Sequence, residues 1–186
     1  MEMILPVVLG VAFGFMLDRV GATNPNYIMG MLRLSNLHLA KVILLAIAVA
    51  STLLMAGLSL GLVDVGHMSV KATYIGVVIG GALLGLGFAL AGYCPGTGWT
   101  ALATGRKDAL WFVLGGLLGA AAYASSHAWW KASGLLDGWL GGKVTLGAID
   151  GSAFAAVWPA MSGTGVGLMV AGALMLLVGL LPDRVR

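Results

Sequence analysis

Cys94 is the only cysteine in the 186-residue sequence, and it lies in a Pro/Gly-rich stretch that interrupts a long apolar run. The stretch spans Gly92 to Gly98 and reads GYCPGTG. A proline and three glycines within seven residues cannot continue a helix. A helix break in a bilayer leaves backbone N–H and C=O groups without partners, which proteins tolerate where the break lines a cavity or a substrate path. The break is therefore a candidate site.

The residue types at the break favour an anion. A short helix predicted after the break would direct free N–H groups and the positive end of its dipole towards it. As a thiol, the soft sulfur would suit a sulfur-containing anion, whereas a thiolate would repel an anion but could attack a sulfane sulfur. We predict that the Thr97 hydroxyl and backbone N–H groups near positions 96–98 replace part of an anion's hydration shell. The predicted substrate-binding residues here are Cys94, Pro95, Gly96, Thr97 and Gly98.

A packing role for Cys94 is the alternative, because buried free cysteines often behave as small apolar residues. Its place in a Pro/Gly break favours the chemical interpretation. A single cysteine excludes an intrachain disulfide and a multi-cysteine metal site within one chain. The sequence has no paired-carboxylate site, catalytic triad, phosphate loop or dinucleotide fingerprint, and its histidines lack i, i+4 spacing. We therefore predict no metal, no cofactor and no enzymatic activity; the three histidines are His38, His67 and His127.

Composition identifies the environment of the chain. Hydrophobic residues make up 60% and charged residues 9% of the sequence, and the mean hydropathy is +1.00. These values are typical of polytopic membrane proteins, so the predicted partner is the lipid bilayer. The net charge of +3 rests on ten Lys and Arg against seven acids that cluster between apolar runs. No nucleic-acid partner is predicted.

The hydrophobic runs predict an all-α membrane protein with five transmembrane helices and two short re-entrant half-helices. A run of about 20 apolar residues crosses the bilayer core, and Pro/Gly-rich turns separate the runs. The whole chain, 1–186, is predicted to form a single membrane domain. A polar, Trp-containing segment at 131–159 is predicted to lie along the surface. The predicted spans are 3–17 (extending towards 20), 42–63, 72–93, 109–124 (extending towards 130) and 163–181, and the half-helices are 27–34 and 97–104.

An internal repeat is predicted from a shift of 71 positions, which places three glycines of the first run on three of the third run. The predicted repeats are 3–63 and 72–130, and both cross the membrane in the same direction. This shift places Thr23 on Cys94. Thr23 and Asn24 are therefore the predicted substrate-binding residues of a matching first break. The alternative is that they serve only as capping and turn residues.

Three stretches carry a resemblance to a known family. GVAFGFMLDRVG at 10–21, LAGYCPGTG at 90–98 and ATGRKD at 103–108 resemble the YeeE/YedE family of bacterial sulfur-compound transporters. The resemblance covers about Leu9 to Gly119. It implies uptake of thiosulfate or a related sulfur species through an hourglass-shaped inner-membrane protein with re-entrant helices and central cysteines. By position, Cys94 matches a family cysteine on the substrate path.

The resemblance also implies partners. Family members often occur next to a TusA-like sulfur carrier, and the fused transporters are about twice as long as this chain. A homodimer, or pairing with a second half-size chain, is therefore expected. Thr23 stands where many members have a further cysteine, so a thiol-to-thiol relay within one chain is excluded.

The leading functional prediction is a transporter or channel for a small sulfur-containing anion. The alternatives are a membrane sulfurtransferase or redox protein that carries a persulfide on Cys94, and a non-transporting membrane subunit. Basic residues accumulate on the cytoplasmic side of membrane proteins. Five crossings with the N-terminus outside and the C-terminus in the cytoplasm place seven basic residues inside and three outside. Those inside are Arg19, Arg33, Lys41, Arg106, Lys107, Arg184 and Arg186, and those outside are Lys71, Lys131 and Lys143.

Overall fold

The computed structural model describes residues 4–138, 142–149, 151–152 and 154–182. Met3, at the start of the predicted first span, and the C-terminal Arg184 and Arg186 lie outside the described residues. The described part of the chain is mostly helical. Its elements are α1 Ile4–Arg19, α2 Pro25–Leu32, α3 His38–Ser59, a 3₁₀ turn Val65–His67, α4 Ile75–Ala91, α5 Pro95–Ala103, α6 Lys107–Ala132, β1 Val144–Ala148, β2 Ala155–Ser162 and α7 Gly163–Leu180.

Four helical runs among the described residues are long and apolar enough to cross a membrane. They are His38–Ser59, Ile75–Ala103, Lys107–Ala132 and Gly163–Leu180. The chain is thus a mostly helical, polytopic membrane protein, as its composition predicts. The predicted first span, α1, has 16 residues and rises about 24 Å at 1.5 Å per residue, which is short of the roughly 30 Å hydrocarbon core. A fifth crossing stays a prediction.

A long, a short and a long helix follow one another twice, as α1-α2-α3 and as α4-α5-α6. Each short helix begins with a proline, whose missing N–H is harmless in the first turn. Gly21 and Gly92 follow the ends of α1 and α4 with φ of 82° and 69°, a conformation that favours glycine. The N-caps of the short helices are Asn24 and Cys94. These caps lie one position out of register with the predicted shift of 71, which pairs the two glycines.

The described residues fall into two compact units, and the first combines parts of both predicted repeats. It consists mainly of Met1–Ala40 and Gly81–Ala128. Within it, α1 lies against α5, so that a Cβ added at Gly14 would lie 3.4 Å from a side-chain carbon of Thr100. Phe88 of α4 packs against a buried cluster that includes Ile28 of α2. Each short helix in this unit therefore packs against a long helix of the other predicted repeat.

The second unit consists of Lys41–Gly80 and Trp129–Leu181 and contains a two-stranded parallel sheet. Val144 of β1 pairs with Ala155 of β2. The expectation of an all-α fold is wrong in this respect, because β1 and most of β2 lie within the predicted surface segment 131–159. Backbone groups between α6 and α7 need hydrogen-bond partners, which the strands supply to each other, although their Gly, Ala and Pro content weakens the β pattern. The sheet leads directly into α7, where the Ser162 side chain caps the helix by accepting from Gly165 N–H at 3.2 Å.

The junction of β1 and α7 depends on a glycine. A Cβ added at Gly163 would lie 2.5 Å from Cγ1 of Ile149 and 3.0 Å from the carbonyl oxygen of Ala148. We predict that Gly163→Ala lowers the free energy of unfolding by about 1–3 kcal/mol, since overpacking forces backbone atoms apart. Thermal unfolding in detergent measures this. Gly172→Ala in the same helix is the control, because nothing lies within 4 Å of its added Cβ; equal melting temperatures for the two variants would contradict the close approach.

Candidate functional site

Cys94 caps α5 with its sulfur atom. Thr97 N–H donates to Cys94 Sγ at 3.3 Å, and Cys94 N–H donates to Thr97 Oγ1 at 2.9 Å. These reciprocal bonds form a capping box in which sulfur takes the place of the usual oxygen acceptor. Cys94 as a residue is half-buried. The start of the helix thus holds the sulfur through Thr97 within a half-buried residue.

Thr97 also directs its hydroxyl group at the sulfur. Its Oγ1 lies 3.2 Å from Cys94 Sγ and 3.2 Å from the Cys94 carbonyl oxygen, so one hydroxyl hydrogen has two acceptors within reach. Thr97 itself is buried. The Thr97 N–H donates to the sulfur, and the Thr97 hydroxyl group donates either to the sulfur or to the Cys94 carbonyl oxygen. When the hydroxyl hydrogen goes to the sulfur, a thiol at this position keeps its weak S–H donor for a ligand.

The backbone N–H groups at positions 96–98 were predicted from the sequence to face an anion, but two of the three are used within the cap. Thr97 N–H bonds to the sulfur, and Gly98 N–H donates to the Cys94 carbonyl oxygen at 2.9 Å. Within the described residues, the Gly96 N–H is the one of the three with no hydrogen bond. Pro95 and Gly96 are both exposed, whereas Gly98 is buried. The start of α5 thus consists of the half-buried Cys94 followed by the exposed Pro95 and Gly96.

Tyr93, directly before the cap, is almost fully buried at 2% exposure. Its hydroxyl group donates to Asp108 Oδ2 at 2.7 Å and accepts from Arg106 Nε at 2.7 Å. Arg106 Nη2 closes the triangle with Asp108 Oδ2 at 2.9 Å. The hydrogen bonds to Asp108 and then to Tyr93 raise the pKa of Arg106 above its ordinary value, so the guanidinium stays charged. This cluster was not predicted from the sequence. The features that could have indicated it are a tyrosine beside the break and an Arg-x-Asp turn after the short helix.

The first break is built from different hydrogen bonds. Asn24 caps α2, and its side-chain oxygen accepts from Asn26 N–H at 3.0 Å. The buried Thr23 donates its hydroxyl hydrogen to Asp18 Oδ1 at 2.8 Å. That hydrogen is therefore committed within the protein and cannot also be donated to an anion.

Gly92 brings the two breaks into contact. A Cβ added at Gly92 would lie 2.8 Å from Cβ of Pro25 and 3.4 Å from Cγ of Met29, both in α2. The break before α5 therefore rests directly on the first turns of the other half-helix. The positive φ of Gly92 and this close approach both exclude a larger residue.

An apolar groove of about 790 Å³ lies beside the second break, along α4, α5 and α6. Tyr93 and Pro95, the chain neighbours of Cys94, line its end, together with Trp99 and Trp111. Cys94 itself is not among the lining residues. The sulfur thus lies at a different surface of the break from this groove.

Gly98 allows α6 to approach the cap. A Cβ added there would lie 2.5 Å from Cδ1 of Phe112, whose ring packs on Tyr93 at a centroid distance of 5.7 Å. We predict that Gly98→Ala displaces Phe112, costs about 1–3 kcal/mol and alters the reactivity of Cys94 towards a maleimide. Gly96→Ala in the same helix is the control, since nothing lies within 4 Å of its added Cβ. Matching stability and labelling rates in both variants would contradict the close packing at Gly98.

Comparison with known proteins identifies the family. A family model described as sulphur transport matches residues 25–181, from α2 to the end of α7. Searches of curated proteins and of solved structures found no match. The matched region covers most of the chain and contains the cysteine break. The chain therefore belongs to the sulphur transport family, the YeeE/YedE family that the motif at the break resembles.

Proposed function

We propose that this protein transports a small sulfur-containing anion, thiosulfate or a related species, past Cys94. The family and the apolar helices establish a membrane protein of a sulphur transport family. The observation that carries the finer proposal is the half-buried Cys94 at the start of α5, whose sulfur is held by Thr97. The sulfur stands where a helix start favours negative charge.

Each residue of the second break has a part in this proposal. The S–H group of Cys94 and the N–H of Gly96 donate weak bonds to the passing anion, and the dipole of α5 adds a partial positive charge. None of these groups carries a full charge, so the anion is stabilised without being trapped. Pro95 sets the direction of the first turn, Thr97 orients the sulfur, and Gly98 admits Phe112 behind it.

Residues Thr23 and Asn24 belong to the first break in the same proposal. Asn24 corresponds to Cys94 as the cap of its half-helix, and it offers an amide group where Cys94 offers sulfur. Because the hydroxyl hydrogen of Thr23 is donated to Asp18, its oxygen can only accept from a substrate, which suits an anion poorly. The sulfur-specific step is therefore assigned to the second break.

A persulfide carrier is the second candidate, and the geometry around the sulfur favours it specifically. Thr97 places both an N–H and an O–H on Cys94 Sγ, and such donors stabilise an electron-rich sulfur. A Cys94 thiolate attacks the sulfane sulfur of thiosulfate, a new S–S bond forms, and the original S–S bond breaks. Sulfite leaves with the electron pair, and the persulfide anion remains on Cys94. Mass spectrometry of the protein during incubation with thiosulfate would identify this reaction by a mass increase of one sulfur atom.

The proposal extends to assembly and location. The protein would lie in the bacterial inner membrane as a homodimer or beside a second half-size chain, and a TusA-like carrier would receive the sulfur species in the cytoplasm. The family resemblance supports these partners. The short α1 and the groove beside α4 and α6 leave apolar surface that a second chain in the membrane would cover.

Replacement of the sulfur separates a chemical role from a packing role. Cys94→Ser keeps a good N-cap and a donor of similar size but loses the soft sulfur. We predict that thiosulfate uptake by reconstituted liposomes falls about tenfold or more while the variant stays folded. Thr104→Ser at the other end of α5 is the control, because serine can keep the bond to the Ala101 carbonyl oxygen. Full uptake by folded Cys94→Ser protein would remove the sulfur-specific mechanism.

Orientation follows from the distribution of basic residues. With five crossings and the C-terminus in the cytoplasm, we predict that a reporter fused after Arg186 is active when it is one that functions in the cytoplasm. A reporter that requires the periplasm should be silent at the same position. Periplasmic activity there would contradict the five-span arrangement.

A further inference from the structure

The direction in which the chain enters the cap depends on Tyr93. Gly92 N–H makes the last backbone hydrogen bond of α4, to the Phe88 carbonyl oxygen at 3.0 Å. The next backbone N–H with a bond is that of Cys94, which already belongs to the cap. Tyr93 is the residue between these two. Among the described residues, it is held by the contacts of its side chain.

The tyrosine is fixed at two points along its length. Its ring packs between Ala101 of α5 and the start of α6 in a buried cluster, with Phe112 beside it. Its hydroxyl group lies between Arg106 and Asp108, beyond the other end of α5. Tyr93 therefore links the N-terminal end of the half-helix to its C-terminal end, and the cap cannot rotate without moving this link.

The three residues of this cluster differ in how exposed they are. The side chains of Arg106 and Asp108 are 38% and 52% exposed, and an ion pair of that kind contributes little to stability on its own. The hydroxyl group between them belongs to a residue that is 2% exposed. The two exposed side chains thus hold the hydroxyl group of a buried residue that directly precedes Cys94.

The first break contains the same relationship, which supports a positioning role independently. The residue directly before the cap is Thr23, and it is also buried and also donates its hydroxyl hydrogen to an aspartate. In each break, then, a hydrogen bond from a hydroxyl group to a carboxylate fixes the residue that directly precedes the N-cap of the short helix. Thr23 donates to Asp18 in the preceding helix α1, whereas Tyr93 donates to Asp108 in α6, which follows α5 in the chain.

We propose that Tyr93 is a positioning residue, whose hydroxyl group, held by Arg106 and Asp108, sets the orientation of Cys94 at the site. The proposal rests on the proposed function in that the thiol is taken to meet the substrate. Tyr93 does not itself contact the substrate. It acts by fixing the peptide that carries the sulfur, so that Thr97 can hold Sγ in one direction.

Maleimide labelling of Cys94 tests this directly, because the 186-residue chain has a single cysteine. Tyr93→Phe keeps the buried ring and removes the hydroxyl group. We expect the labelling rate to rise about threefold or more and the KM for thiosulfate uptake to rise, since the sulfur is no longer held in one direction. Tyr123→Phe, the same change on α6 at a ring that packs on His127, should leave both values unchanged.

A second variant shows whether Arg106 acts through Tyr93. Arg106→Lys keeps the charge but loses the planar group that reaches the hydroxyl group and the carboxylate at once. We expect it to match Tyr93→Phe, and the double variant to add nothing further. Arg106→Lys also carries the test if Tyr93→Phe fails to fold.

Wild-type labelling rates in folded Tyr93→Phe, or in Arg106→Lys, would overturn the positioning role. So would additive effects in the double variant, because they would show that Arg106 does not act through the tyrosine. Labelling does not require transport. If wild-type protein took up no sulfur anion, the transport proposal would fail while the labelling rates still decided the role of Tyr93.

Discussion

Backbone N–H and C=O groups have no water to bind in the hydrocarbon region, so a helix that starts after a break must find partners for its first turn within the protein. At the second break Cys94 and Thr97 meet part of this requirement through a reciprocal cap, which leaves the Gly96 N–H for a further partner. At the first break Asn24 caps α2 in the ordinary way. The chemical character of the second break follows from the choice of a cysteine for a structural task that serine, threonine or asparagine performs more often.

This double use of one residue explains the surroundings of the sulfur. The Thr97 N–H donates to the sulfur, which makes the sulfur an acceptor within the cap. Gly98 and Gly92 allow neighbouring helices to approach the break closely, because an added Cβ at either position would lie under 3.0 Å from its neighbour. Tyr93 then ties the cap to the far end of the same half-helix. Holding a thiol in this way suits selective passage of a soft anion.

Local signals predicted the helices well and the long-range contacts poorly. Proline and glycine placed both breaks, and the final span predicted at 163–181 corresponds to α7 at Gly163–Leu180. The two strands escaped prediction because glycine, alanine and proline give no alternating pattern there. The Tyr93 cluster escaped prediction because it joins residues on either side of α5. The positions of the two N-caps follow from backbone geometry, which the sequence pattern does not fix to a single residue. The place of Cys94 directly before a short helix could be predicted because a helix break is a local property of the sequence.

The most direct measurement is uptake by liposomes that contain the wild-type protein, with protein-free liposomes as the baseline. Labelled thiosulfate should enter at a saturable rate, excess sulfate should compete weakly because it lacks a sulfane sulfur, and a thiol-blocking reagent should stop uptake. Thiosulfate entry no faster than in protein-free liposomes, or equal uptake of sulfate and thiosulfate, would contradict a sulfur-selective path past Cys94.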